Sequence, residues 1–87
     1  MAYKVVLLEQ AIEDLSSLDK QIAQRILYKV GTHLTKSPDT NGKPLKGEFS
    51  GFYSYRIGDW RVIYYLEQDE NTLTVTRVRH RKKVYKE

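Results

Sequence analysis

The segment Phe52–Leu66 reads FYSYRIGDWRVIYYL, and its reading decides the fold. Two runs rich in aromatic and β-branched residues, Phe52–Ile57 and Trp60–Leu66, flank the dipeptide Gly58-Asp59. Such runs favour strands, and glycine first in a two-residue loop suits a type II′ hairpin turn. If Gly58 and Asp59 are the loop, Ile57 pairs with Trp60 and Arg56 lies opposite Arg61. Their Cβ atoms then stand about 5 Å apart on one face. Tyr55, Ile57, Trp60 and Val62 point to the other face, the core side. Ser54 and Ile63 form the next pair on the arginine side.

Working outward, residues 2–8 (AYKVVLL) form one short apolar strand. From Glu9 the period becomes helical: Ala11, Leu15 and Leu18 share a face, with Ile12 beside them. Asp19 is placed to cap a second helix, whose apolar stripe runs through Ile22, Ala23, Ile26, Leu27, Val30 and Leu34. Ser37-Pro38 stops that helix, and residues 39–42 (DTNG) make a turn. Lys43–Lys46 is a short strand, Gln68–Asn71 a turn and Thr72–Val78 a last strand. The order is β-α-α-β-β-β-β. The fold class is α+β: a small mixed, largely antiparallel sheet with two N-terminal helices packed on it. Residues 1–87 read as one domain, without repeats or linkers.

The charge is uneven. Residues 1–42 hold five basic and five acidic side chains, whereas residues 43–87 hold ten basic and six acidic. An anionic partner is implied: nucleic acid, an acidic protein segment or a membrane surface. The chain has no cysteine, and no apolar run reaches the roughly 18 residues of a membrane span. No signal peptide is read, so a cytoplasmic location and no membrane partner are expected.

Two like charges facing each other are normally destabilising. Either the guanidinium groups of Arg56 and Arg61 both splay into water, or one of them meets Asp59 or Glu48, or they form a phosphate seat, for which fixed multi-donor forks are suited. The last strand would deliver part of RVRHRKKVY (residues 77–85) beside them. Pattern alone does not fix its register, so whether Arg79 or Arg81 joins the pair stays open. Arginine is a poor general base; His80 is the best-placed group with a near-neutral reference pKa, and Tyr85 offers a hydroxyl and a stacking ring. The plainer alternatives are an exposed polar His80 and a Tyr85 that packs the tail onto the sheet. His33, late in a helix, reads as a surface or helix-end residue. The two histidines show no zinc spacing, and no phosphate-cradling glycine loop is present, so no metal or cofactor is expected. RNA carries its own 2′-hydroxyl nucleophile, which makes a metal-independent ribonuclease chemically coherent.

Together the YKV strand, the A-x-x-D-L-x-x-L helix from Ala11 to Leu18, PLKGEFSGFYSYRIGDWRVIYYL and VRHRKKVY resemble the RelE/ParE superfamily of toxins from type II toxin–antitoxin systems. The resemblance covers nearly the whole chain. For the RelE-like branch it implies a ribosome-dependent endoribonuclease that cleaves mRNA in the A site, with an antitoxin, the ribosome and mRNA as partners. Arg61 matches the family arginine tied to phosphate binding and transition-state stabilisation, and Arg81 the late-strand arginine at the scissile phosphate. Tyr85 matches the tyrosine that stacks on or orients the nucleotide. Arg56 and Ser54 occupy two positions that are lysines in well-studied members, which weakens a base role there and moves the question to His80 or Tyr85. Catalytic candidates are thus Arg56, Arg61, His80, Arg81 and Tyr85; RNA-binding candidates are Lys46, Ser54, Arg79, Lys82 and Lys83. The alternatives are a ParE-like inhibitor of DNA gyrase and a non-enzymatic basic nucleic-acid-binding module.

Overall fold

The computed structural model describes residues 3–82. In chain order its strands are β1 (Lys4–Leu7), β2 (Lys43–Pro44), β3 (Tyr53–Ile57), β4 (Trp60–Glu67) and β5 (Thr72–His80). Its helices are α1 (Glu9–Ser16), α2 (Lys20–Thr32) and the single turn α3 (Pro38–Asn41). The sheet order is β1-β5-β4-β3-β2; only the β1–β5 pair is parallel. This is the mixed, largely antiparallel α+β architecture expected from the sequence.

The hairpin forms as the pattern requires. Ile57 faces Trp60, and Arg56 faces Arg61. Gly58 has φ +60° while Asp59 does not adopt positive φ, the combination a type II′ turn needs. Alternation sends Tyr55, Ile57, Val62 and Tyr64 into the core, where Ile26, Val30 and Leu34 meet them. Burying each such side chain is worth about 1.5–3 kcal/mol. The α2 stripe is narrower than the sequence implies. Ile26 and Val30 are buried, but Ile22 and Leu27 stay 36% and 42% exposed, and Ile12 of α1 is 52% exposed.

Asp19 caps α2, its carboxylate accepting from the Gln21 N–H at 2.9 Å. The helix ends at Thr32, before the Ser37-Pro38 stop. The Thr32 hydroxyl donates to the Tyr28 carbonyl and that of Thr35 to the Gly31 carbonyl, which loosens the final turn. Leu34 still reaches the core from a 3₁₀ turn over Leu34–Lys36. The expected turn at 39–42 is instead the short helical turn α3, started by Pro38 at its first position. β2 is shorter than the expected Lys43–Lys46, because the chain bends into a 3₁₀ turn at Gly47–Phe49, with Gly47 at φ +67°. β5 runs two residues beyond Val78 because β4 continues to pair with it as far as His80.

One buried tyrosine ties these loops to the sheet. Tyr64 stacks on Tyr53 (centroids 5.4 Å apart, 12° between planes), and its hydroxyl donates to the Pro38 carbonyl at 2.6 Å. Burial, and next to it the neighbouring Tyr53, Asp39 and Tyr55, raise its pKa above the ordinary phenol value.

Candidate phosphate-binding site

The register places three arginines in one row. Arg56 of β3 faces Arg61 of β4, and Arg61 faces Arg79 of β5. Directly opposed residues share a face, and strands lie about 4.8 Å apart, so the row spans about 10 Å between its outer members. The uncertainty over the last strand is thereby resolved: Arg79 joins the pair through its register. No carboxylate bond to Arg56 or Arg61 is formed by the expected Asp59 or Glu48. The Arg56 Nε instead makes a long contact to the Gly58 carbonyl (3.4 Å), and an Arg61 terminal nitrogen one to the Trp60 carbonyl (3.4 Å). Three cations are thus set side by side by a ladder that backbone pairing and packing on the opposite face hold together.

Arg81 lies just past the strand, where its N–H donates to the Asp59 carbonyl at 2.8 Å. Its guanidinium stands 3.7 Å from the Asp59 carboxylate, an exposed pair worth at most about 1 kcal/mol. The hairpin tip therefore holds the Arg81 backbone, while its half-exposed side chain lies beside the Asp59 carboxylate. Ser54 lies on the arginine face but is buried beside Ile63, forming floor under the row. Lys46 is exposed beyond β2, and Lys82 is exposed at the end of β5. Lys83 and Tyr85 lie outside the described residues.

His80 is brought to the tip but not to the row. It faces Trp60, on the side of the sheet opposite Arg61 and Arg79. Its ring meets the Trp60 indole edge-on at 5.2 Å and helps line a shallow cleft with Asp14, Ser17 and Leu18. Its Nδ1 accepts from the Lys82 N–H at 3.3 Å, which leaves Nε2 to carry the proton of the neutral ring. The strand period of two explains this placement: residue 79 shares the side of Arg61, and residue 80 takes the other. His33, read as a helix-end residue, does sit at the C-cap of α2. There its Nδ1 and the Tyr55 hydroxyl are 2.7 Å apart, and burial raises the Tyr55 pKa.

Arg77 has a different environment from the rest of its basic run. Its Nε and a terminal nitrogen bond the Asp14 carboxylate at 2.9 and 3.2 Å, and the same carboxylate accepts from the Val78 N–H at 2.8 Å. Sequence reasoning missed this pair. The one available signal was the place of Asp14 next to the apolar position Leu15 in the A-x-x-D-L-x-x-L run of α1. Among the described residues no three His, Asp or Glu side chains converge as a metal site would require.

A family model described as the ParE toxin of the type II toxin–antitoxin system parDE matches residues 5–85. Toxin RelG of Mycobacterium tuberculosis is 31% identical over 86 residues, 99% of each chain. Toxin RelE of the same organism is 30% identical over 84 residues, 97% of this chain and 87% of that one. The toxin–antitoxin complex RelBE2 of M. tuberculosis contains a chain that superposes with a TM-score of 0.89 at 31% identity, covering 93% of both. With the fold, the hairpin signature and these likenesses in agreement, the chain belongs to the RelE/ParE superfamily of toxins from type II toxin–antitoxin systems.

Proposed function

We infer that this toxin is a metal-independent endoribonuclease acting on mRNA in the ribosomal A site, and that it thereby stops translation. The in-register row Arg56–Arg61–Arg79 carries the inference. A row of guanidinium forks can hold the charged oxygens of a pentavalent phosphorus and the phosphate beside it. The 2′-hydroxyl gives its proton to solvent as its oxygen bonds to phosphorus, the bond to the 5′-oxygen breaks, and that oxygen takes a proton from solvent, which leaves a cyclic phosphate and a 5′-hydroxyl. Arg61, central in the row, is assigned to the non-bridging oxygens. Arg81, tethered at the tip, is assigned to the leaving side, and Tyr85 to stacking on the nucleotide. Arginine does not take the 2′-proton at neutral pH. The place of His80 beside Trp60, on the face of the sheet opposite the arginine row, argues against His80 as that acceptor. Lys46, Lys82 and Lys83 supply backbone attraction that salt weakens.

Partners follow from the same reading. The matched RelBE2 structure is by its name a toxin–antitoxin complex. A cognate antitoxin is proposed here too, with the exposed apolar side chains Ile12, Leu27 and Tyr28 as contacts.

The test is 5′-end mapping of mRNA on purified ribosomes with wild type, Arg61→Gln and His80→Ala. Cuts at A-site codons, lost in Arg61→Gln and retained in His80→Ala, are expected. Intact mRNA at saturating wild-type toxin would overturn the ribonuclease reading. The family model's ParE description favours one rival, a DNA gyrase inhibitor. Trapped gyrase–DNA complexes together with intact mRNA would establish it instead.

A further inference from the structure

β5 is held unequally along its length. Its first half lies between two strands: β4 on one side, and β1 on the other from Lys4↔Thr72 to Leu7↔Val75. At Thr76 the ladder with β4 slips by one residue, since Tyr64 faces Val75 while Ile63 faces Arg77. Such a bulge bends a strand and weakens pairing locally. Beyond it β1 has ended, and among the described residues the stretch that carries Arg79 has a strand partner on one side alone.

Asp14 sits where β1 would have continued. Its carboxylate, 17% exposed, takes the outward Val78 N–H and both donors of the Arg77 fork. Hydrogen bonds to an ionised acceptor are roughly twice as strong as neutral ones. One side chain of α1 thus replaces a missing strand, immediately before Arg79. We propose that Asp14 is a positioning residue for the arginine row: it clips the second half of β5 so that Arg79 stays in register with Arg61 and Arg81 stays at the hairpin tip. Asp14 touches no substrate and acts through the backbone at Val78. This deepens the ribonuclease reading and rests on it for its kinetic readout.

Misplacement of a catalytic group by about 1 Å can lower turnover about a hundredfold. Asp14→Ala, assayed where circular dichroism shows it folded, is therefore expected to lower kcat on ribosome-bound mRNA at least tenfold, with KM within about threefold. Asp14→Asn keeps an oxygen to accept from Val78 and should retain most of kcat. Arg77→Gln should fall between them. If Asp14→Ala does not fold, Asp14→Leu fills the same space without an acceptor and takes its place. A folded variant without an acceptor at position 14 but with wild-type kcat would overturn the proposal. So would a loss of activity that follows the folded fraction across temperature. A readout independent of cleavage separates this proposal from the ribonuclease reading. In wild type the Val78 amide should exchange slowly, and the Arg61 and Arg79 Nε–H signals should both respond to inorganic phosphate. In Asp14→Ala only Arg61 should respond normally. Rapid Val78 exchange in wild type, or unchanged responses in the variant, would refute the clip even if the protein cuts no RNA.

Discussion

Removing the central cation should make this protein more stable and less active. Arg61 has a guanidinium neighbour on each side, Arg56 and Arg79. With charge centres splayed to about 7 Å in largely aqueous surroundings, each neighbour contributes roughly 0.6–1 kcal/mol of repulsion before screening. At about 25 mM salt most of that survives, so Arg61→Gln should gain about 1 kcal/mol, or roughly 4–8 °C in Tm for a domain of this size. At about 0.5 M salt the Debye length is well below the spacing, and the gain should fall to about 0.3 kcal/mol. Arg56→Gln, at the end of the row, relieves one neighbour and should gain about half as much. The assay is urea unfolding of wild type and both variants at the two salt concentrations, beside cleavage of ribosome-bound mRNA. The expected pairing is a salt-sensitive rise in stability with lost cleavage, as in sites that hold like charges for function. If Arg61→Gln is destabilised at both salt concentrations, or its gain ignores salt, the row is not electrostatically strained and the reasoning fails.

Other outcomes follow from the same structure. Tyr64 holds its proton more tightly in the folded chain than in the unfolded one. Its contribution is therefore complete below the ordinary phenol pKa of about 10 and lost as pH rises beyond it, so urea stability should decline at alkaline pH and decline less in Tyr64→Phe. That variant should also be about 1–3 kcal/mol less stable at neutral pH, because the Pro38 carbonyl loses its donor. A Cβ on Gly42 would overlap the Tyr64 hydroxyl, so Gly42→Ala should cost about 1–3 kcal/mol in chemical denaturation. For single-stranded RNA, Arg56→Gln should reduce the slope of log affinity against log salt by about 0.7, measured by fluorescence anisotropy.

Much of this protein was determined by local pattern. The alternation in Phe52–Leu66 with Gly58-Asp59 at its centre is a short-range constraint, and it specified both the hairpin and the Arg56–Arg61 pair. Helix periodicity located α1 and α2, although α2 ends at Thr32, where the Thr32 and Thr35 hydroxyls bond carbonyls one turn back, a feature that periodicity does not report. The basic run RVRHR looks uniform in sequence, yet its members part company in space. Arg79 enters the row, His80 turns to Trp60, Arg77 is held by Asp14 and Arg81 is moored by its backbone at the tip. Two things sort them. The period of two divides neighbours between the faces of the sheet, and the bulge at Thr76 resets which face each residue takes. A bulge depends on how two strands distant in sequence come to pair, and the Asp14–Val78 bond joins residues 64 positions apart. The types of chemistry were local and legible in the chain; which cations converge was decided by long-range registration, which only the folded sheet supplies.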